Sequence, residues 1–285
     1  MSINRWFAVN GRHFATTARW HLTACLMMLL VGGALWGHET WLAPQAFTIN
    51  AQQPLQLDLT SGMQFPELEH PIRSDRVERA FLRIGATEQP ITAMVAQSKA
   101  LRLTAEVRNE GLAAIGVVLH PRSLTLTDDQ VDEYFAEIQA TQAVRAAWAK
   151  QKGRIPWKET YTKNAKTFVA SGAIRPDDAW QKPLGLDLEL IPMAQPLAWR
   201  AGEQATFTLL AHGKPLQGLS VGLRQRNSSK PIFQTTNDHG QVTMTLHSEG
   251  TTLLYAVHLQ PHQDGSRWVS AFTTLTILVQ PKKAN

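Results

Sequence analysis

His38 and Glu39 open the segment "HETWLAP" directly behind an apolar run, and a histidine at that place can have either of two chemistries. Inside a chain it offers one imidazole. As the first residue of a mature chain it offers a ring nitrogen and an α-amine that can bind one metal ion together. That amine has an ordinary pKa of about 7.7–8.0, so it sheds its proton at modest cost when a metal competes for it. Nitrogen donors in tetragonal geometry suit copper(II) or nickel(II), and imidazole also suits cobalt and zinc. A tight site needs more ligands. His258 in "YAVHLQ" is the first choice, since alternation with Tyr255 and Val257 sets it near the end of a strand; His120 in "VVLHP" is the second. Glu39 is placed to orient the His38 ring or tune its charge.

The remaining histidines offer less. His70, with Glu67 and Glu69, reads as a solvated loop cluster, His212 and His239 as turn residues, and His247 and His262 carry no signal. Tyr161, Lys163 and Lys166 in "ETYTKNAK" show no base or nucleophile pairing and read as packing and surface residues. Trp41 and Trp199 are too scattered for a carbohydrate platform and read as core.

Whether His38 is terminal depends on what precedes it. Residues 1–21 hold Arg5, Arg12 and Arg19 with His13 and His21, and no acid; residues 22–36, "LTACLMMLLVGGALW", carry no charge. A basic start, a short apolar run and a small residue, Gly37, at its end read as a secretory signal peptide over residues 1–37. The run is shorter than the ~20 apolar residues a spanning helix needs, so no permanent anchor is expected after cleavage. "LTAC" is not a lipidation box, because the apolar run follows Cys25 instead of preceding it. The full chain has 28 basic and 23 acidic residues; losing three arginines with the signal leaves 25 against 23. That balance, with no basic stripe, argues against nucleic acid. Cys25, the only cysteine, leaves with the signal, and a chain this long can bury a core without disulfides.

The rest reads as mostly β. "FTINAQQPLQLDLTSG", "ERAFLRIG" and "ALRLTAEVR" alternate at period two, and "AAIGVVLHP" is a continuous apolar run suited to a strand buried on both faces. Helix is expected near residues 128–152, opened by a Thr127/Gln130 capping box with Asp128 and Asp129 in its first turn. "GRIPWKETYTKNAKTFVASG" reads as irregular before it enters a strand. A boundary is expected in "RPDDAWQKPLG", residues 175–185, dividing an N-terminal β-rich domain with a helical insertion (38–180) from a C-terminal domain (184–285). In the latter, strands recur about every ten residues between "RAGE", "GKPLQG", "NDHG" and "QDGS", the pattern of an immunoglobulin-like β-sandwich.

"HETWLAP", "GMQFPELEHP", "KETYTKNAKTFV", "PLGLDLELIPMAQP", "GEQATFTLLAHGKPLQGLSV", "TNDHGQVTMTL" and "LLYAVHL" together resemble one family, catalogued as domain of unknown function 4198. It is similar to periplasmic components of cobalt and nickel uptake. The resemblance spans the whole mature chain and is most specific at "LGLDLELIP" and "GKPLQG". It implies an exported, mostly β, metal-handling protein.

The expected function is therefore a periplasmic nickel- or cobalt-binding or delivery component, with a membrane metal transporter as its partner and no catalytic turnover. Two alternatives stand beside it. One is a copper-dependent oxidative enzyme using the His38 chelate; the other is a metal-independent sandwich module of the cell envelope.

Overall fold

The structure is a computed structural model, described for residues 39–283 except 227 and 229. The expected signal peptide, residues 1–37, and His38 lie outside the described residues. In chain order the strands are β1 (Glu39–Pro44), β2 (Thr48–Ile49), β3 (Leu55–Gly62), β4 (His70–Pro71), β5 (Val77–Ile84), β6 (Thr87–Pro90), β7 (Ala93–Ala96), β8 (Leu101–Ala105) and β9 (Gly111–Leu126). Helices α1 (Asp128–Glu137) and α2 (Gln142–Ala149) follow. The chain continues through β10 (Trp157–Ser171), β11 (Leu188–Pro192), β12 (Gln204–Ala211), β13 (Lys214–Pro215), β14 (Ser220–Gln225) and β15 (Ile232–Thr235). It ends with β16 (Gln241–Thr245), β17 (Gly250–Pro261) and β18 (Trp268–Val279).

The fold is mostly β, as its sequence implies. A central sheet runs β15-β14-β17-β18-β10-β9-β5-β6, with β2 added against β10. The sheet β1-β3-β8-β7 covers one of its faces, and β11-β12-β13 with β16 covers the other. Strand β9 shows why its sequence is apolar without alternation. Ala113, Ile115, Val117 and Leu119 join the core under the first covering sheet, while Leu112 and Ala114 join the core under the second. In the C-terminal half, Val221, Leu223, Leu254, Leu275 and Ile277 meet Leu190, Phe207, Leu209, Val242 and Met244, which is the immunoglobulin-like sandwich.

The helical insertion is built as its local signals require. Thr127 accepts from the Gln130 backbone, and Gln130 reaches back to the Thr127 N–H. Helix α1 ends at Ile138; Gln139 takes a left-handed φ of 49°, and Thr141 caps α2. Val131, Phe135, Val144 and Trp148 pack on Leu126, Trp157, Leu259 and Trp268. Trp157 and Trp268 stack with centroids 4.5 Å apart. These contacts seat α1 over one end of the central sheet. No helix among the described residues is long and apolar enough to cross a membrane.

Strand β10 is longer than its sequence suggests. The "KETYT" stretch is strand from Trp157 onward, paired with β9 through a register shift between Tyr161 and Lys163. Its polar residues are not loop residues, because partners await them on both faces. β10 also lies parallel to β18, from Glu159 opposite Trp268 to Thr167 opposite Thr276. The halves on either side of residues 175–185 therefore share a sheet. Expressed alone, residues 184–285 should still give a β-type circular dichroism spectrum and a cooperative melt. The melt should come at a lower temperature than for the whole chain, because the β18 edge and the core contacts of Phe81, Leu112 and Phe168 are lost. A disordered spectrum would show that this half has no core of its own.

Candidate functional site

A cavity of about 660 Å³ opens between β1, the end of α1 and the β10, β17 and β18 strands of the central sheet. Each wall has a local cause. β1 pairs with β3 from Glu39 opposite Gly62, which carries Glu39 to the end of its sheet. There its carboxylate meets Arg224 of β14, with Nε 3.1 Å from Oε1. Desolvation raises the Glu39 pKa, and the Arg224 charge opposes that rise. Tyr255 of β17 lies opposite Gly222 of β14, and a Cβ at residue 222 would collide with its ring. Glycine there lets the ring lie across the neighbouring strand, where Phe233 meets it edge-on at 5.7 Å and burial pushes the pKa of its hydroxyl up.

Lys163 is the central group. It sits in β10, opposite Phe272 of β18, and its Nζ lies 5.2 Å from the Phe272 ring centroid and 5.7 Å from that of Tyr161. The side chain is half-buried, and burial lowers its pKa to about 8; Glu39 and Glu159 pull it back up and Arg76 pushes it further down. Behind it, Glu159 is buried and accepts from Tyr134 Oη at 3.1 Å, Trp157 Nε1 at 3.0 Å and Ser270 Oγ. Burial raises its pKa, and the three donors hold it down. This network ties α1 to the sheet floor through Tyr134, which itself lines the cavity. Lys163, Arg224 and Lys230 give the described lining one more cation than its anions, Glu39 and Glu137. The walls are otherwise mainly apolar: Ile138, Phe233, Tyr255, Val257 and Phe272.

A family model described as "Domain of unknown function (DUF4198)" matches residues 35–260. The chain belongs to that family. No curated protein matches its sequence. Among solved structures it is similar to a Salmonella alpha-2-macroglobulin reacted with methylamine, at 10% identity over 85% of this chain and 15% of that one, TM-score 0.24. It is also similar to FdeC, an Escherichia coli adhesin, at 12% identity over 86% of this chain and 64% of that one, TM-score 0.22. A third is the Yersinia pseudotuberculosis adhesin InvE, at 14% identity over 87% and 64%, TM-score 0.20. The chain thus spans less than two thirds of each, and such likenesses carry no argument about its function.

Within this DUF4198 chain, the block that most specifically carries the family resemblance is structural. In "PLGLDLELIP" the Glu189 carboxylate accepts from the N–H groups of Leu184, Gly185 and Leu186 at 2.8–3.3 Å and from Lys166 Nζ at 2.6 Å. Gly185 takes a φ of +79°, which favours glycine. The carboxylate folds the loop on itself and pins it to β10.

Of the expected ligands within the described residues, Glu39, His120 and His258 lie in separate places. His38 falls outside the described residues. Glu39 lines the cavity, but its partner is Arg224. His258 is half-buried in a separate hollow with Val144, Leu216, Gln217 and Leu259, and its pKa is lowered by burial and then by His212. Strand alternation turns it away from the face that carries Tyr255 and Val257. His120 is exposed, 3.8 Å from Glu78. Glu69 accepts from the Met63 and Gln64 N–H groups at 2.7 and 2.5 Å, which ties up the loop beside His70. Among the described residues no group of three or more His, Cys, Asp or Glu could hold a metal ion. Trp41 and Trp199 are core, as expected. Lys163 and Lys166 are not surface residues: one lines the cavity and the other is fully buried against Glu189. Sequence reading missed both, and it missed Arg224, Tyr255 and Phe272. The available signal was "TYTKNAK" itself, where two lysines three apart on a strand face opposite sides and cannot both face solvent if both faces are covered.

Proposed function

We propose that this chain is an exported binding protein that holds a small ligand in the cavity between β1, α1 and the central sheet without turning it over. The observation that carries this reading is the cavity itself. Its volume of about 660 Å³ falls in the usual range for small-ligand pockets, and it combines apolar walls with a few fixed polar groups. Its charged groups serve as anchors: Arg224 holds Glu39, and Lys163 is held against two rings. Export is the reading of residues 1–37 given above.

A second reading, nickel or cobalt binding for a membrane transporter, is favoured by the place of Glu39. Cleavage between Gly37 and His38 would leave the terminal amine and imidazole one peptide bond from a residue of the cavity wall. The surplus of cations in that wall disfavours a bare divalent ion deep inside, so the chelate would act at its edge or on a metal that arrives with anionic ligands. N-terminal sequencing of the exported protein should begin His-Glu-Thr-Trp. Adding one alanine before His38 converts the amine to an amide, and His38→Ala removes the ring. Each change should weaken nickel or cobalt binding by about tenfold or more, as loss of one ligand does. Unchanged calorimetric affinity in the alanine-extended protein would remove the metal reading and leave the cavity reading standing.

A further inference from the structure

We infer that the ligand of this cavity is an uncharged molecule with a flat aromatic body larger than one ring; this rests on the cavity being a ligand site. The first observation is that the charges of the wall are already engaged with the protein itself. Glu39 pairs with Arg224 at 3.1 Å, and the Arg224 guanidinium lies 5.6 Å from the Tyr255 ring centroid. Lys163 is likewise engaged, with Nζ 5.2 Å from the Phe272 centroid and 5.7 Å from that of Tyr161. Glu137 and Lys230, the other charged residues of the described lining, are exposed and keep contact with water. A charged ligand would leave water without a counter-ion or would have to break the Glu39–Arg224 pair. Either course is costly, and a neutral ligand avoids both.

The second observation is what the wall offers instead. Four aromatic side chains of the described lining come from four elements: Tyr134 of α1, Phe233 of β15, Tyr255 of β17 and Phe272 of β18. The chain has three tyrosines; two line the cavity, and the third, Tyr161, meets Phe272 edge-on at 6.0 Å. Such a ring cluster can host an ammonium through its negative faces. Here Phe272 and Tyr255 already carry the resident cations Lys163 and Arg224, so a second cation would be repelled. What remains is apolar contact from these rings with Ile138 and Val257, which suits a flat hydrocarbon surface. Size sets the rest. A dry cavity of roughly 150 Å³ encloses one benzene ring, and this one holds about 660 Å³.

The test is calorimetry on the purified protein with 1-naphthylacetamide, 1-naphthylacetate and 1-naphthylmethylamine, which share a ring system and differ in charge. The amide should bind at least about tenfold more tightly than either ion. Val257→Trp, which fills the cavity, should abolish amide binding. Glu39→Gln removes the partner of Arg224 at nearly constant volume, so it should raise the affinity for the acid by about tenfold and narrow the lead of the amide. Thermal melts of both variants establish that they are folded. An acid or amine that equals or exceeds the amide on the native protein overturns the inference and leaves the cavity reading intact. Acid affinity unmoved by Glu39→Gln would show that the pairing of Arg224 is not what excludes charge, and overturns it as well. Binding of none of the probes overturns the aromatic assignment, and the cavity reading is then tested separately by the small molecule that the purified protein carries.

Discussion

Lys163→Met should resist urea better than the native chain at pH 7, and the advantage should vanish in alkali. In the folded protein the Lys163 amine titrates at about 8 because burial disfavours its charge, against an ordinary value of 10.5. Below pH 8 the amine is protonated in both states, so folding carries the full cost of taking an ammonium out of water. Between pH 8 and 10.5 the unfolded chain binds more protons than the folded one, and stability rises with pH. Above 10.5 the cost is gone. The shift corresponds to up to about 3 kcal/mol, reduced because the side chain keeps part of its surface open. Urea midpoints for both proteins across pH 6–11 would measure it. A Lys163→Met protein less stable than native at pH 7 would mean that the lysine is a structural strut. Retaining a residue that costs stability is what a binding group does.

Glu189→Gln should have the opposite effect, and a larger one. The carboxylate is fully buried and receives Lys166 Nζ together with three backbone N–H groups. Making it neutral strands a buried ammonium, left with the Leu190 carbonyl at 3.3 Å and the Phe168 ring, and weakens the bonds that fold residues 184–186. A loss of about 3–5 kcal/mol is expected, the usual cost of breaking a buried ion pair from one side. Lys166→Met should cost less, because Glu189 keeps its backbone donors. If Glu189→Gln and Lys166→Met unfold within ~1 kcal/mol of each other and of the native protein, the loop is not held by this carboxylate.

Those two lysines mark where the sequence stops being legible. The elements could be read wherever their signals are local. The Thr127/Gln130 capping box marks the start of α1, and the unbroken apolar run of β9 shows that it has cores on both sides. β10 was harder. Glu159, Lys163 and Lys166 look like solvent-facing residues until Ser270, Phe272 and Glu189 are set beside them, and those lie far along the chain. The cavity has the same origin. Glu39, Lys163, Arg224 and Tyr255 meet because β10 runs parallel to β18 and β1 lies against both strands, and no local pattern encodes either arrangement. His258 shows the converse difficulty. Its strand was recognisable, but alternation does not say which face of β17 meets the cavity, and it is the other one.

What the purified protein carries is the most direct test of a ligand held in this cavity. Native mass spectrometry of the chain, purified gently from its native host, should show it together with a small-molecule adduct. Denaturation should release the adduct, and Val257→Trp, which fills the cavity, should be purified without it. The native and Val257→Trp proteins both at the bare chain mass, or both carrying the same adduct, would contradict a ligand held in this cavity.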